Sequence, residues 1–225
     1  SAEEMIPLRD SQPSYSTPVV TIGIIVANVL VFLYQLSLDS FSINYFVHLY
    51  GIVPARFELS TLFSSMFLHA GWLHLIGNMW FLWIYGDNVE DVLGKGRYLL
   101  FYLLCGAAAG LAHVVTNFGS PVPTIGASGA VAGVMGAYLL KFPHSRIVTL
   151  IPFFFFFTVE IPAVAILLYW LLIQIFSGVA TAGQMASSEG GVAWFAHVGG
   201  FLAGMVLILL MRTHQRYRRH HELRW

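Results

Sequence analysis

Charged residues are scarce in this chain of 225 residues, and cysteine is almost absent. Charged side chains make up 10% of the sequence, whereas a soluble domain carries about 25%. The single cysteine, Cys105, excludes an internal disulfide and a cysteine-rich metal site. The formal net charge is +0, so the composition indicates no nucleic-acid partner.

Apolar residues make up 57% of the chain and come in blocks close to the length that crosses a membrane, about 17–25 residues. This pattern predicts an all-α, polytopic membrane protein with one domain over residues 19–211. A cytoplasmic tail, 1–18, precedes it, and a basic tail, 212–225, follows it. The first apolar run is too long for a signal peptide and lacks a basic segment before it, so we expect no cleavable signal. The six predicted spans are 19–38, 61–86, 97–116, 127–142, 159–177 and 193–211.

The distribution of basic residues predicts the orientation. Every Lys and Arg except Arg56 falls on the side of the two termini, and basic residues mark the cytoplasmic face. Loops 39–60 and 117–127 should therefore face outward. The first of them is too polar to span, which predicts a structured interfacial loop. We interpret residues 151–162, "IPFFFFFTVEIP", as a loop that leads into span five.

Helical rise predicts the depth of the polar residues. Roughly 20 Å of helix separates Ser128 from the cytoplasmic end of span four, which is shorter than the hydrocarbon core of about 30 Å. The same measure places His197 and His74 at nearly that depth. Asn78 lies one turn from His74 on the same helix face. Four polar side chains from three spans should thus meet in one layer inside the membrane.

Two pairs of small residues favour close contact between spans four and six. Gly129 and Gly133 form one pair, and Gly200 and Gly204 form the other. Such spacing allows helix backbones to approach closely. Each polar residue alone would be explained as a contact between helices, but their convergence at one depth favours function over packing.

The residues in this layer suit nucleophilic catalysis. A serine hydroxyl needs a base that takes its proton, and His197 is the candidate base for Ser128. No carboxylate is available to complete a triad, because Glu160 enters from the cytoplasmic side; a Ser-His dyad is predicted. The Ser128 backbone N–H, His74 and Asn78 are the candidate donors to an oxyanion.

The polar residues allow other interpretations, which the sequence supports less well. His69 and His74 are five residues apart, which does not align them on one helix face, and the sequence has no H-E-x-x-H motif, so no metal site is predicted. A channel or transporter fits a polar layer but leaves the serine, base and donors unexplained. We interpret four further polar residues as structural or loop residues: Asn28, His113, Asn117 and Gln174.

Three motifs together resemble the rhomboid family of intramembrane serine proteases. They are "GASG" at 126–129, "HAGWLHLIGN" at 69–78 and "AHVGGFLAG" at 196–204. Their order and spacing are similar to the family's across spans one to six, whereas the serine motif alone would be weak.

The resemblance implies a six-helix bundle with an outward-opening, water-filled cavity and an interfacial first loop, 39–60. It implies Ser128 as nucleophile, His197 as base, and His74, Asn78 and the Ser128 amide as the oxyanion site. Gly126 would open the loop before the serine, and His69 would have a less direct role. Span five and residues 178–192 would correspond to a mobile gate and cap.

Two positions depart from the family pattern. Ser60 and Thr61 stand where many relatives carry Trp-Arg, so the first loop must be anchored differently. Ala132 stands where some relatives place an aromatic ring against the catalytic histidine, so His197 must be held by other residues.

The sequence thus predicts an active intramembrane serine endopeptidase that needs no cofactor and cleaves single-span membrane proteins in the bilayer. The alternative is a rhomboid-like pseudoprotease that binds transmembrane helices without cleavage. A prokaryotic inner membrane is the expected location, and the oligomeric state is open.

Overall fold

The computed structural model describes residues 6–152, 156–181 and 193–213, and is mainly helical. Residues 182–192, most of the predicted cap, and the end of the basic tail from 214 lie outside the described residues. The helices are α1 (Val19–Leu36), α2 (Ser40–Tyr50), α3 (Thr61–Ser64), α4 (Trp72–Leu93), α5 (Lys95–Thr116), α6 (Ser128–Lys141), α7 (Ala163–Thr181) and α8 (Trp194–Leu210). The strands are β1 (Ile6–Asp10), β2 (Arg146–Pro152) and β3 (Phe156–Pro162).

Each of the six predicted spans overlaps at least one helix, and the span predicted at 61–86 overlaps both α3 and α4. Among the described residues, three helices, α1, α5 and α7, are long and apolar enough to cross a membrane by themselves. Helix α8 is apolar but has 17 residues, and α6 has only 14. The membrane-spanning, helical class is therefore confirmed, whereas the count of six spans stays a prediction.

Helix α6 lies at the centre of the bundle. All its residues from Gly129 to Leu139 are buried, as is typical of a helix that is apolar on every side. It packs mainly on α8, α5 and α4. A Cβ on Gly200 would collide with the carbonyl of Gly129, and one on Gly204 with that of Gly133. The two predicted glycine pairs therefore face each other and let α6 and α8 touch through their backbones.

Helix α1 is joined to α4 through a buried carboxylate. Glu90, which is 1% exposed, accepts hydrogen bonds from the backbone N–H groups of Val20 (3.0 Å) and Thr21 (2.8 Å). The Thr21 hydroxyl donates a third bond, at 2.9 Å. Glu90 thus satisfies unpaired donors in the first turn of α1 and places a negative charge at the positive end of its dipole.

A three-stranded antiparallel sheet corrects two predictions. Residues 6–10, assigned to a cytoplasmic tail, form β1, and most of the predicted loop 151–162 belongs to β2 and β3. β2 is the central strand. Its Ile147 lies opposite Asp10 of β1, and its Thr149 lies opposite Val159 of β3. The β-branched and aromatic residues of this stretch suit a strand. Helix α7 consequently begins at Ala163, after Pro162, and not at residue 159.

The first loop and the start of span two also differ from the predicted boundaries. Helix α2 lies within 39–60, and Asp39 caps it by accepting from the N–H groups of Phe41 and Ser42, both at 2.9 Å. The helix predicted from residue 61 is interrupted, because α3 ends at Ser64 and α4 begins only at Trp72. Between them the backbone becomes extended at Leu68.

Candidate active site

Ser128 is the first residue of α6, where the chain turns from an irregular loop into a buried helix. Gly126, two residues earlier, has a φ of +131°, a conformation that residues with a Cβ rarely adopt. The Gly126 N–H donates to the Ser65 carbonyl at 2.9 Å and so fixes the loop. The Ser128 side chain and backbone N–H consequently stand at the positive end of the α6 dipole.

His197 lies in the first turn of α8 and reaches Ser128 across the glycine contact. Its Nε2 is 2.8 Å from Ser128 Oγ, which is hydrogen-bond distance. The two residues are on different helices, and the backbone contact between Gly129 and Gly200 sets their separation. The predicted nucleophile and base are thus brought together.

His74 and Asn78 lie on α4 and line the same cavity as Ser128 and His197. A Cβ on Gly126 would be 2.8 Å from the Nε2 of His74, so the imidazole lies directly against the serine loop. Asn78 is 8% exposed, and among the described residues its Nδ2 has no hydrogen-bond partner. A buried amide donor without a partner is costly, and here it borders the cavity.

The cavity has a volume of about 610 Å³. Walls from α4, α5, α6, α7 and α8 enclose it, with the loop before Ser128 on one side. Small and apolar side chains make up most of the lining, with the predicted polar residues gathered among them. This volume falls within the range of small-molecule and cofactor sites, about 300–1,000 Å³.

His69 is close to this group of residues but does not line the cavity among the described residues. It precedes α4 instead of lying on it, and its ring centroid is 5.1 Å from that of His74. Gln35 of α1 holds its backbone, accepting from the His69 N–H (3.0 Å) and donating to its carbonyl (3.2 Å). These two bonds anchor the backbone in front of α4.

The two departures from the family pattern have local substitutes. In the first loop, the Thr61 hydroxyl donates to the Glu58 carbonyl (2.6 Å) and the Ser64 hydroxyl to that of Tyr50 (2.7 Å). Near the base, Ala132 is fully buried, and the ring of Trp170 from α7 lies 5.8 Å from that of His197. An aromatic neighbour for His197 is thus supplied by a different helix.

Two residues near the site, Gln174 and His113, are not predicted from the sequence to lie there. Gln174 was interpreted as structural, yet its Oε1 is 2.6 Å from His197 Nδ1. A buried amide on an otherwise apolar span was the signal that could have identified it. His113 was also interpreted as structural; it contacts the Thr124 hydroxyl at 2.6 Å and so holds the loop that leads to Ser128.

In residues 6–152, 156–181 and 193–213, no three His, Cys, Asp or Glu side chains form a group that could hold a metal ion. Glu160, the acidic residue considered for a triad, lies on β3 and pairs with Arg146 at 3.6 Å, both largely exposed.

Comparison with known proteins identifies a family that this chain matches. A family model described as the Rhomboid domain matches residues 56–214. The mitochondrial presenilin-associated rhomboid-like protein of Homo sapiens is 32% identical over 197 residues, which cover 81% of this chain and 46% of that protein. RHOMBOID-like protein 5 of Arabidopsis thaliana is 31% identical over 158 residues, covering 69% of this chain and 46% of the relative.

A bacterial relative carries an activity in its name. Rhomboid protease GluP of Bacillus subtilis is 42% identical over 85 residues, or 38% of this chain and 16% of that protein. The chain spans about half the length of the human and plant relatives it matches.

Proposed function

Because the chain belongs to the rhomboid family, we propose that it is an intramembrane serine endopeptidase acting through a Ser128–His197 dyad. The observation that carries the proposal is the distance of 2.8 Å between His197 Nε2 and Ser128 Oγ, at a cavity that also holds His74 and Asn78. A nucleophile within hydrogen-bond reach of a base is the arrangement that acyl transfer needs.

The first half of the reaction would form an acyl-enzyme. His197 Nε2 takes the proton of Ser128 Oγ as the oxygen attacks the scissile carbonyl carbon. The negative charge that develops on the carbonyl oxygen is met by the Ser128 N–H, the α6 dipole and the side chains of Asn78 and His74. The tetrahedral intermediate then collapses, and His197 gives the proton to the leaving amine.

The second half would release the acyl product. A water molecule in the cavity loses a proton to His197 as its oxygen attacks the ester carbonyl. The same donors stabilise the second oxyanion, and Ser128 Oγ leaves with the proton returned by His197. No step requires a cofactor.

The proposed substrate class rests on the depth that the sequence predicts for the cavity in the membrane. Single-span membrane proteins are the substrates we propose, with the bilayer as the medium that presents them to Ser128. Backbone inside a membrane is accessible only where its helix opens, so we expect cleavage at helix-destabilised segments. Both termini would lie on the cytoplasmic side, with the cavity opening outward.

The membrane in which the protein resides is a separate matter. The comparisons do not support the prokaryotic inner membrane expected from the sequence, because similar proteins carry mitochondrial or chloroplastic names, whereas another comes from a bacterium. We therefore propose an integral membrane protein and name no compartment for it.

The deciding experiment compares wild type, Ser128→Ala and His197→Ala in liposomes with single-span substrates. Wild type should cleave and react with a fluorophosphonate, and both variants should lose cleavage. A wild-type protein that cleaves none of several substrates and is not labelled would overturn the proposal in favour of a helix-binding pseudoprotease. Solute flux through the liposomes without cleavage would instead indicate a channel or transporter.

A further inference from the structure

The second ring nitrogen of His197 is also occupied. In the part of the chain described here, the hydrogen bonds of the His197 ring go to Ser128 on α6 and to Gln174 on α7. Gln174 is 5% exposed, and its Oε1 lies 2.6 Å from Nδ1. Among the described residues that line this cavity, His74 on α4 is another titratable side chain near the ring.

We propose that Gln174 is a positioning residue that holds His197 in the tautomer required of a base. An amide oxygen only accepts hydrogen bonds. In this contact Nδ1 therefore carries the proton, and its N–H donates a hydrogen bond to Gln174 Oε1. Nε2 is then left with its lone pair directed at the Ser128 hydroxyl. The inference rests on the proposed function, and assigns to a neutral amide the orienting role that a carboxylate has in a full triad.

Because Gln174 belongs to α7, its hydrogen bond to His197 depends on how α7 packs against α8. Trp170, Gln174 and Gly178 are spaced by four and share one face of the helix. Trp170 lies against His197 and Phe201, with ring centroids 5.8 and 6.1 Å apart. A Cβ on Gly178 would be 3.1–3.3 Å from Trp194 and Phe195. The same face of α7 that packs on α8 therefore supplies the acceptor, and a displacement of α7 removes it.

The test compares Gln174→Met, Gln174→Glu and the control Leu172→Met by kinetics on a single-span substrate. Methionine has a similar shape but no amide oxygen, so kcat should fall about tenfold with KM within about twofold; that is the loss of one hydrogen bond of about 1.4 kcal/mol. Glutamate keeps an acceptor, but its negative charge favours the imidazolium form of His197. Activity lost at neutral pH should therefore be recovered at high pH, and the acidic limb of the pH–kcat profile should move to higher pH. Leu172 faces away from α8 and is half exposed, so its variant should match wild type.

Several results would overturn the inference. One is a Gln174→Met protein with wild-type kcat. Another is equal loss in both variants with an unshifted pH profile, which would make the contact purely structural. If Gln174→Met does not fold, the pH profile of Gln174→Glu decides. In each case wild type still cleaves and is labelled by the fluorophosphonate, whereas failure of the proposed function would abolish both.

Discussion

The hydroxyl of Ser128 is surrounded by groups that act on it from three directions. His197 Nε2 lies 2.8 Å away, the α6 dipole begins at Ser128 itself, and Asn78 and His74 border the same cavity. Each group is weak in water, but electrostatic interactions strengthen where water is scarce and donors are already oriented. The proposed chemistry therefore depends on how firmly the surrounding helices hold these groups.

Asn78→Ala tests the oxyanion role. Removing one preorganised donor lowers kcat by about 100- to 1,000-fold in other serine hydrolases, and we expect a loss of that order with KM little changed. Steady-state cleavage in liposomes measures both constants. Asn44→Ala, on the exposed surface of α2, is the matched control; equal kcat in the two variants would contradict the role.

Gly126→Ala tests the loop before the serine. The φ of +131° strains any residue with a Cβ, at a cost of about 1–3 kcal/mol, and the new methyl would press on the His74 ring. Fluorophosphonate labelling should fall sharply and the thermal midpoint should drop. Gly96→Ala has open space and should change neither; a labelled, stable Gly126→Ala protein would refute the strain argument.

At the scale of elements, α6 and α8 form the contact on which the site depends. Gly200 and Gly204 of α8 have no Cβ where they face Gly129 and Gly133 of α6, so main-chain atoms of the two helices touch there. In a membrane, such contacts are stabilised by van der Waals packing and not by exclusion of water. Helix α7 also contributes to this site, because its Trp170 and Gln174 contact His197 of α8.

Gly200→Ala should separate α6 from α8. A methyl group at Gly200 would meet the Gly129 carbonyl, and overpacking costs about 1–3 kcal/mol. The Ser128–His197 distance would lengthen with the helix separation, so cleavage and labelling should fall together with the thermal midpoint. Gly23→Ala, on α1 with nothing nearby, should leave all three unchanged; if Gly200→Ala behaves alike, the helices are not in backbone contact.

At the scale of the whole molecule, α6 connects the cavity to the small sheet. Tyr138, near the far end of α6, donates its hydroxyl hydrogen bond to Asp10 of β1. Asn88 of α4 donates to the same carboxylate at 3.2 Å. The N-terminal strand is therefore attached to the two helices that carry Ser128 and Asn78, at a point about 15 Å along α6 from the serine.

Asp10 should make stability depend on pH. Burial raises the pKa of its carboxyl from 3.8 to about 7, and the Asp87 carboxylate adds to this rise while the Tyr138 hydrogen bond opposes it. Between pH 4 and 7 the folded protein keeps a proton that the unfolded chain has released, so this contribution to stability is lost as pH rises.

The thermal midpoint in detergent at pH 5 and pH 8 measures this effect. Wild type should lose more stability than Asp10→Asn over this interval, because the amide stays neutral. Asp39→Asn, on the exposed cap of α2, serves as the control for removal of one carboxylate. Identical slopes in wild type and Asp10→Asn would exclude Asp10 as the titrating group.

Patterns along the chain were sufficient to predict helices at the long apolar runs and to select four candidate site residues that share one cavity. Long apolar runs have few alternatives to a helix in a bilayer, and the ends of α5, α6 and α8 differ from prediction by one or two residues. Helical rise placed Ser128, His197, His74 and Asn78 at one depth, and these four side chains line one cavity. Local geometry is regular enough for such estimates because a helix has a fixed rise per residue.

Pairing between distant segments was decided only by the tertiary structure. β1 pairs with β2 across more than a hundred residues, Glu90 caps a helix far from it in sequence, and Gln174 meets His197 from a neighbouring helix. Strand pairing and single hydrogen bonds depend on side-chain direction and on register between elements, which periodicity does not encode. The sequence by itself thus determined a helical membrane protein with a serine and a histidine at one depth, and the packing of α7 on α8 decided what holds the histidine.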